Sequence, residues 1–207
     1  MSETSSLVVP GIPEDEIWQL EGCWWFSYYL QKVREIPQGI CPFCPPDPTI
    51  NHILAENDSW YMWDNPVQPL PGQDFQLVIP PKRHVLCFGE LTDKEFLDLR
   101  GIVGLSEELL GIQGGGLLLR MGDYKRSARS VPHLHFNYHV PTGKVSVRPF
   151  LCKSAEDRKT ALDGVLVFEK MRRLLAGRRP DPNLLVTLVT DAEWQLVKDR
   201  LAPPPKK

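Results

Sequence analysis

The stretch Ser130-Val131-Pro132-His133-Leu134-His135-Phe136-Asn137-Tyr138-His139-Val140 decides how the rest of the chain is read. Taken as a β-strand it alternates, with His133, His135, Asn137 and His139 on one face and Leu134, Phe136, Tyr138 and Val140 on the other. The second face is expected to pack and the first to carry chemistry. Same-face neighbours on a strand stand roughly 6–7 Å apart, so adjacent members can act on one phosphate or divide between a metal and a substrate. The chain has five histidines, and three of them fall in this stretch.

Moving outward, the segment from Gly122 to Ser130 is a polar loop holding Lys125, Arg126 and Arg129, and before it a strand is expected over Leu117–Met121, set off by Gly114-Gly115-Gly116. A solvated charged loop is the ordinary reading of three cations; attachment to the histidine stretch favours a functional one. Upstream, Thr92 with Glu95 three residues on is a capping box and starts a helix whose apolar positions include Phe96, Leu99, Val103 and Leu110. A short apolar run, Val85–Phe88, precedes it. Phe75–Ile79 reads as a strand stopped by Pro80-Pro81, with His84 beyond. Ile53-Leu54-Ala55 and Trp60–Trp63 read as two short strands joined at Glu56-Asn57-Asp58. After the histidine stretch and Pro141-Thr142-Gly143, the chain continues through Val145-Ser146-Val147 and Phe150. Ser154 caps a helix to about Ala176, marked by Gly177; a strand over Leu184–Val189 and a helix capped by Asp191 follow.

The organisation expected from these signals is a flexible lead-in over residues 1–21, a main domain over 22–150, a C-terminal helix–strand–helix extension over 151–202 and a disordered tail over 203–207. The aromatic-dense Trp24–Leu30 has the composition of core packing, against which a base-stacking platform is the alternative.

With 207 residues the chain suits one domain with an extension, and its formal charge of −2 and pI near 6.2 argue against a globally basic nucleic-acid grip. No secretory signal is visible at the N-terminus, and no apolar run approaches the roughly 20 residues of a membrane helix. Five cysteines is an odd number, so Cys41-Pro42-Phe43-Cys44 reads as metal binding or redox chemistry before a disulfide framework. The βαβ context of a redox pair is missing. A zinc knuckle fits: two thiolates from a tight turn, with further ligands from afar, for which His52 and His84 are both candidates. Cys23, Cys87 and Cys152 read as buried thiols. A cytoplasmic protein is expected.

The cysteine pair, Leu77-Val78-Ile79-Pro80-Pro81-Lys82-Arg83-His84 and Ser130–His135, in that order over about residues 41–140, resemble the histidine-triad (HIT) superfamily. The resemblance implies an α+β, HIT-like fold with an antiparallel sheet flanked by helices, often dimeric, and a nucleotide site beside the histidine stretch. It implies His135 as nucleophile, with His133 and Asn137 beside it, and a nucleotidyl-histidine intermediate formed at the α-phosphate of a nucleoside polyphosphate or dinucleoside polyphosphate. It also implies Asp64, with Asn65 beside it, as the ribose-binding acid, and His133 as a third zinc ligand with Cys41 and Cys44. Arg126, Ser127, Arg129 and Ser130 are the phosphate-binding candidates. Asn137 stands where the hydrolases of the superfamily carry a third histidine and its transferases a glutamine. It can donate a hydrogen bond but cannot serve as a general acid, which suits an anionic leaving group or acceptor. His139, about 13 Å from His135 on a strand, is too far to replace the missing histidine and reads as a sheet-end residue. Two rival readings stand beside the nucleotidyl transferase or hydrolase: a nucleotide-binding protein without turnover, and an RNA-contacting zinc module.

Overall fold

A computed structural model describes residues 8–65, 72–127, 129–149, 153–175, 178 and 181–201. The helix stop expected at Ala176-Gly177, the residues Phe150 and Cys152, and the tail from 203 onward lie outside the described residues. The chain divides into two compact units, Cys41–Cys152 and Met1–Ile40 together with Lys153–Lys207. This division differs from the expected one, which placed residues 22–40 with the histidine stretch.

The Cys41–Cys152 unit is built on β1 (Ile53–Glu56), β2 (Tyr61–Asp64), β3 (Gln73–Ile79), β4 (Gly116–Leu119) and β5 (Phe136–Pro141). These form one sheet in the order β1-β2-β3-β5-β4, antiparallel at every pairing. With its helices the unit is α+β, as expected. Alternation gives the sheet two chemically different faces. Trp60, Met62, Leu77, Ile79, Phe136, Tyr138 and Val140 form the core of one, together with Leu99 and Ile102 of helix α2 (Asp93–Leu110). The opposite face carries Phe43, Trp63, Val78 and Val131, and the register places Asn137 against Val78 and His139 against Gln76.

Helix α2 begins as its sequence predicts. Thr92 accepts from the Glu95 backbone N–H and the Glu95 carboxylate accepts from that of Thr92, two otherwise unpaired donors satisfied reciprocally. Its Phe96 is exposed, however, and Ile102 is the better-buried position. The Val85–Phe88 run forms no strand; Cys87 within it is exposed, contrary to the buried thiol expected. The loop before β5 contains a short helix, α3 (Tyr124–Ser127).

The histidine strand is shorter than predicted. β5 starts at Phe136, and residues 130–135 run irregularly. Their hydrogen bonds go elsewhere: Leu134 N donates to Val85 O at 2.7 Å, and the His133 ring to Pro81 O at 3.0 Å.

The other unit centres on α4 (Ala155–Leu175), whose Val165, Phe168, Met171 and Leu175 are buried. The same core contains Phe26 and Tyr29 of α1 (Phe26–Glu35), so the aromatic stretch packs. Trp24 alone stands 56% exposed, beneath the Arg200 guanidinium at 5.4 Å. The described part of the expected lead-in is not loose: Val9, Ile12 and Leu20 are buried in this core, where their apolar side chains leave water. The predicted strand over 184–189 is instead α5 (Pro182–Leu188). Pro182 opens it, where a missing N–H breaks no helical bond, and Leu185 N donates to Asp181 O at 2.8 Å. α6 (Asp191–Val197) is capped by Thr190, not Asp191, because the Thr190 hydroxyl accepts from the Glu193 N–H.

Candidate active site and metal centre

Residues distant in the chain meet around His133. Cys41 Sγ and Cys44 Sγ lie 3.3 and 3.2 Å from His133 Nδ1, and Cys44 Sγ lies 3.4 Å from His84 Nδ1. One ligand atom from each of Cys41, Cys44, His84 and His133 falls within 4.8 Å of all the others. Two sulfurs and two imidazole nitrogens at such spacing match the donor set of a tetrahedral zinc site. His52 has no place in it: it lies exposed just ahead of β1, and the fourth position belongs to His84, delivered by the Pro80–His84 turn.

The protonation state of His133 suits a ligand. Pro81 O can only accept, so His133 Nε2 carries the proton at 3.0 Å and Nδ1 presents its lone pair to the sulfurs. Burial pushes the imidazole down to about 4, against the Pro81 bond, with His84 and His135 adding to the fall. The ring is neutral at pH 7. Burial and then the neighbouring Cys41 push the Cys44 thiol up to about 12. The Cys44 thiol resists becoming a thiolate, and a divalent cation beside it would supply the charge that reverses this preference.

His135 is held by the same logic one step along. Its Nδ1 lies 2.8 Å from His133 O, an acceptor only, so Nδ1–H donates and Nε2 is the unprotonated nitrogen of the neutral ring. Phe43, between the two cysteines, stands edge-on to His133 and His135 with ring centroids 5.6 and 5.4 Å away, and to Trp63 at 5.1 Å. Its role is absent from the sequence reading. The signal was an aromatic residue inside the cysteine pair.

The remaining predicted residues divide. Asn137 is buried beside His135 in sequence, with Nδ2 unpaired among the described residues. Register pairs Asp64 with Leu77, of the face that packs on α2, whereas Asn65 N donates to Gln76 O at 2.8 Å, aligned with the His139 face. Ser127 is buried and its hydroxyl donates to Asp123 O at 3.0 Å, so it closes its own turn. Arg126 is exposed, while Arg129 and Ser130 are half-buried. Burial lowers the Arg129 guanidinium, opposed by Cys87 and Asp123.

Fold and site together define an α+β protein that carries a candidate metal centre of two cysteines and two histidines, with a carbonyl-anchored histidine next to it. No family model matches the chain, and no curated protein does. Solved structures similar to it include several described as histidine-triad proteins. A HIT family hydrolase from Legionella pneumophila Philadelphia 1 is 19% identical with a TM-score of 0.41, over 53% of this chain and 98% of that one. A histidine triad nucleotide-binding protein from Candida albicans is 20% identical with a TM-score of 0.41, over 66% and 98%. A histidine triad protein from Clostridium difficile is 16% identical with a TM-score of 0.41, over 53% and 95%. Among the described residues no helix is long and apolar enough to cross a membrane.

Proposed function

We propose that the chain is a histidine-triad nucleotidyl transferase or hydrolase acting through His135. The observation that carries this reading is the 2.8 Å bond from His135 Nδ1–H to His133 O, which leaves Nε2 as the nucleophile. Nε2 attacks the α-phosphate of a nucleoside polyphosphate or nucleotide conjugate; a P–N bond forms, the P–O bond to the leaving group breaks, and a nucleotidyl-histidine remains. Asn137 donates to a phosphoryl oxygen. Lacking an acidic proton, it restricts the reaction to leaving groups stable as anions. The substrate-binding candidates of this reading are Arg126, Arg129 and Ser130 of the loop before His133, with Ser127 closing a turn in it, and Asp64 and Asn65 at the end of β2.

Zinc at Cys41, Cys44, His84 and His133 is structural in this reading. Its chemistry is to clamp the cysteine turn against the segment that presents His135, and no bond to substrate passes through it. A cytoplasmic setting agrees with thiols held for metal rather than for disulfides.

Asn137 in place of a third histidine favours one second reading, a protein that holds nucleotide without turning it over. Rapid quench with α-phosphate-labelled diadenosine tetraphosphate or ATP separates the two. Acid-labile label is expected on the wild-type protein and absent from His135→Ala; label persisting in that variant overturns the mechanism. Bound nucleotide with neither label nor turnover establishes the binding protein.

A further inference from the structure

Zinc has no redox chemistry of its own, but two of the four ligands offered to it are sulfurs that an oxidant can change. They sit within its reach. Cys41 and Cys44 are half-buried and His84 is exposed, whereas His133 lies buried behind them, so water meets the cluster at the cysteines. Cys23 is the contrast. It is buried in the core of the other unit, where loss of solvent pushes its thiol up to about 12, so it is neither accessible nor ionised at pH 7.

The cysteine turn is already close to the geometry of a disulfide. Cys44 N donates to Cys41 O at 3.2 Å, and a turn closed in this way keeps its end Cα atoms within about 7 Å. Disulfides span about 4.4–6.8 Å between Cα atoms. The two sulfurs lie within 4.8 Å of each other, so a bond between them asks little of the backbone. What the turn holds reaches further. Both sulfurs meet His133 Nδ1, and the carbonyl of that residue accepts from His135 Nδ1–H at 2.8 Å. Phe43, inside the turn, stands edge-on to the His133 and His135 rings. Movement of the turn is therefore passed to His135 by two routes, one through the His133 backbone and one through the Phe43 ring.

We propose that Cys41 and Cys44 form a hydroperoxide-responsive switch on His135, whose oxidation to a disulfide releases zinc and frees His84 and His133 from the turn. The switch rests on the zinc reading given above. One thiolate attacks a peroxide oxygen; the O–O bond breaks, a sulfenic acid forms and hydroxide leaves. The second thiolate attacks that sulfur, the S–S bond forms and a second hydroxide leaves. Two protons from solvent turn both into water, so the peroxide is reduced by the two electrons the sulfurs lose. A neutral disulfide offers no thiolate to a cation, and the ion departs. A dithiol reverses the change by exchange, as it does for accessible disulfides generally. A transient bond of this kind is the form disulfides take in a reducing compartment.

The test uses the full chain loaded with zinc, hydrogen peroxide near pH 7 and a zinc-chelating dye. Zinc release is expected to keep pace with loss of alkylatable thiol from the peptide that spans Cys41 and Cys44, while Cys23 stays fully alkylatable after unfolding. Dithiothreitol with added zinc is expected to restore the thiols, the metal and the ring signals of ¹³C-labelled His84 and His133. Cys87→Ser, which removes an exposed thiol, is expected to change the release rate less than twofold, and Cys44→Ser to form no internal disulfide. Labelling of His135 is expected to fall at least tenfold on oxidation and to return on reduction. Zinc retained while Cys87 is oxidised, or release through sulfinic acids that no dithiol reverses, overturns the switch. Reversible release with unaltered labelling overturns its action on His135. A chain that takes up no zinc is a failure of the metal reading and overturns the switch with it. Absence of label before oxidation is a failure of the nucleotidyl reading alone, and zinc release still decides the switch.

Discussion

Phe43 shows how one residue serves two functions in this protein. Its ring edge meets His133 and His135 and is itself only 9% exposed, so it seals the cysteine turn and limits the swing of the proposed nucleophile. Aromatic pairs add about 0.5–1.5 kcal/mol beyond area burial, and Phe→Ala in a core costs about 3–5 kcal/mol. Phe43→Ala is expected to lower stability by about 3 kcal/mol in urea titration and to slow labelling of His135, with Phe43→Leu restoring stability more fully than rate. The acceptor-only carbonyls of Pro81 and His133 belong to the same scale. A histidine's usable nitrogen is decided by what the other nitrogen meets, and no sequence pattern names a backbone oxygen.

At the scale of the element, α2 was legible to its first residue because capping is local chemistry. Thr92→Ala is expected to cost about 1 kcal/mol, read as a shift of the urea midpoint at unchanged slope. Glu95 extends the argument to tertiary contacts: it accepts from Arg83 Nε at 2.9 Å and Nη2 at 2.8 Å. That pairing, with the Thr92 bonds and against partial burial, holds its carboxyl down to about 2 from an ordinary 4.5. A carboxyl depressed by folding stabilises above its unfolded value and loses that contribution as pH falls through the folded one. Half of the Arg83 side chain is exposed, so screening leaves about 1–2 kcal/mol of the shift as stability. Glu95→Gln is expected to remove that amount at pH 7 and to flatten the decline between pH 4.5 and 2 in acid unfolding. β5 shows the limit of local reading. Alternation correctly separated Asn137 and His139 from Phe136, Tyr138 and Val140, but nothing local revealed that residues 130–135 hydrogen-bond outside the sheet.

Across the whole molecule, residues before Cys41 and after Cys152 make one compact unit. Its buried polar centre is Glu169, which accepts from Tyr29 OH at 2.5 Å, from Arg172 Nε at 2.7 Å and from Arg173 Nε at 2.6 Å. Burial pushes the Glu169 carboxyl up, but Arg172, Tyr29 and Arg173 outweigh it and the net direction is down. Breaking a buried ion pair by removing one partner costs about 3–5 kcal/mol. With Arg172 and Arg173 partly exposed, Glu169→Gln is expected to cost about 2 kcal/mol, measured by thermal unfolding. In the other unit, one zinc per chain is expected by elemental analysis, falling below half in Cys44→Ser and in His84→Ala but not in His52→Ala. Chelation is expected to lower the melting temperature.

The sequence by itself determined what depends on near neighbours and on alternation: the Thr92–Glu95 capping box, β1 to β5 as strands and the cysteine turn, while His135 as a candidate nucleophile came from the resemblance to the histidine-triad superfamily. Only the tertiary structure decided what depends on distant segments. Of the two candidates it brought His84 and not His52 to the cysteines, because the Pro80–His84 turn, not the loop before β1, meets them. It made Leu184–Val189 helical because helical bonding to Asp181 buries Leu185 in a core assembled from both ends of the chain. It also set Asn137 opposite Val78 and His139 opposite Gln76. Strand register, unlike residue spacing, is fixed only when the neighbouring strands are in place.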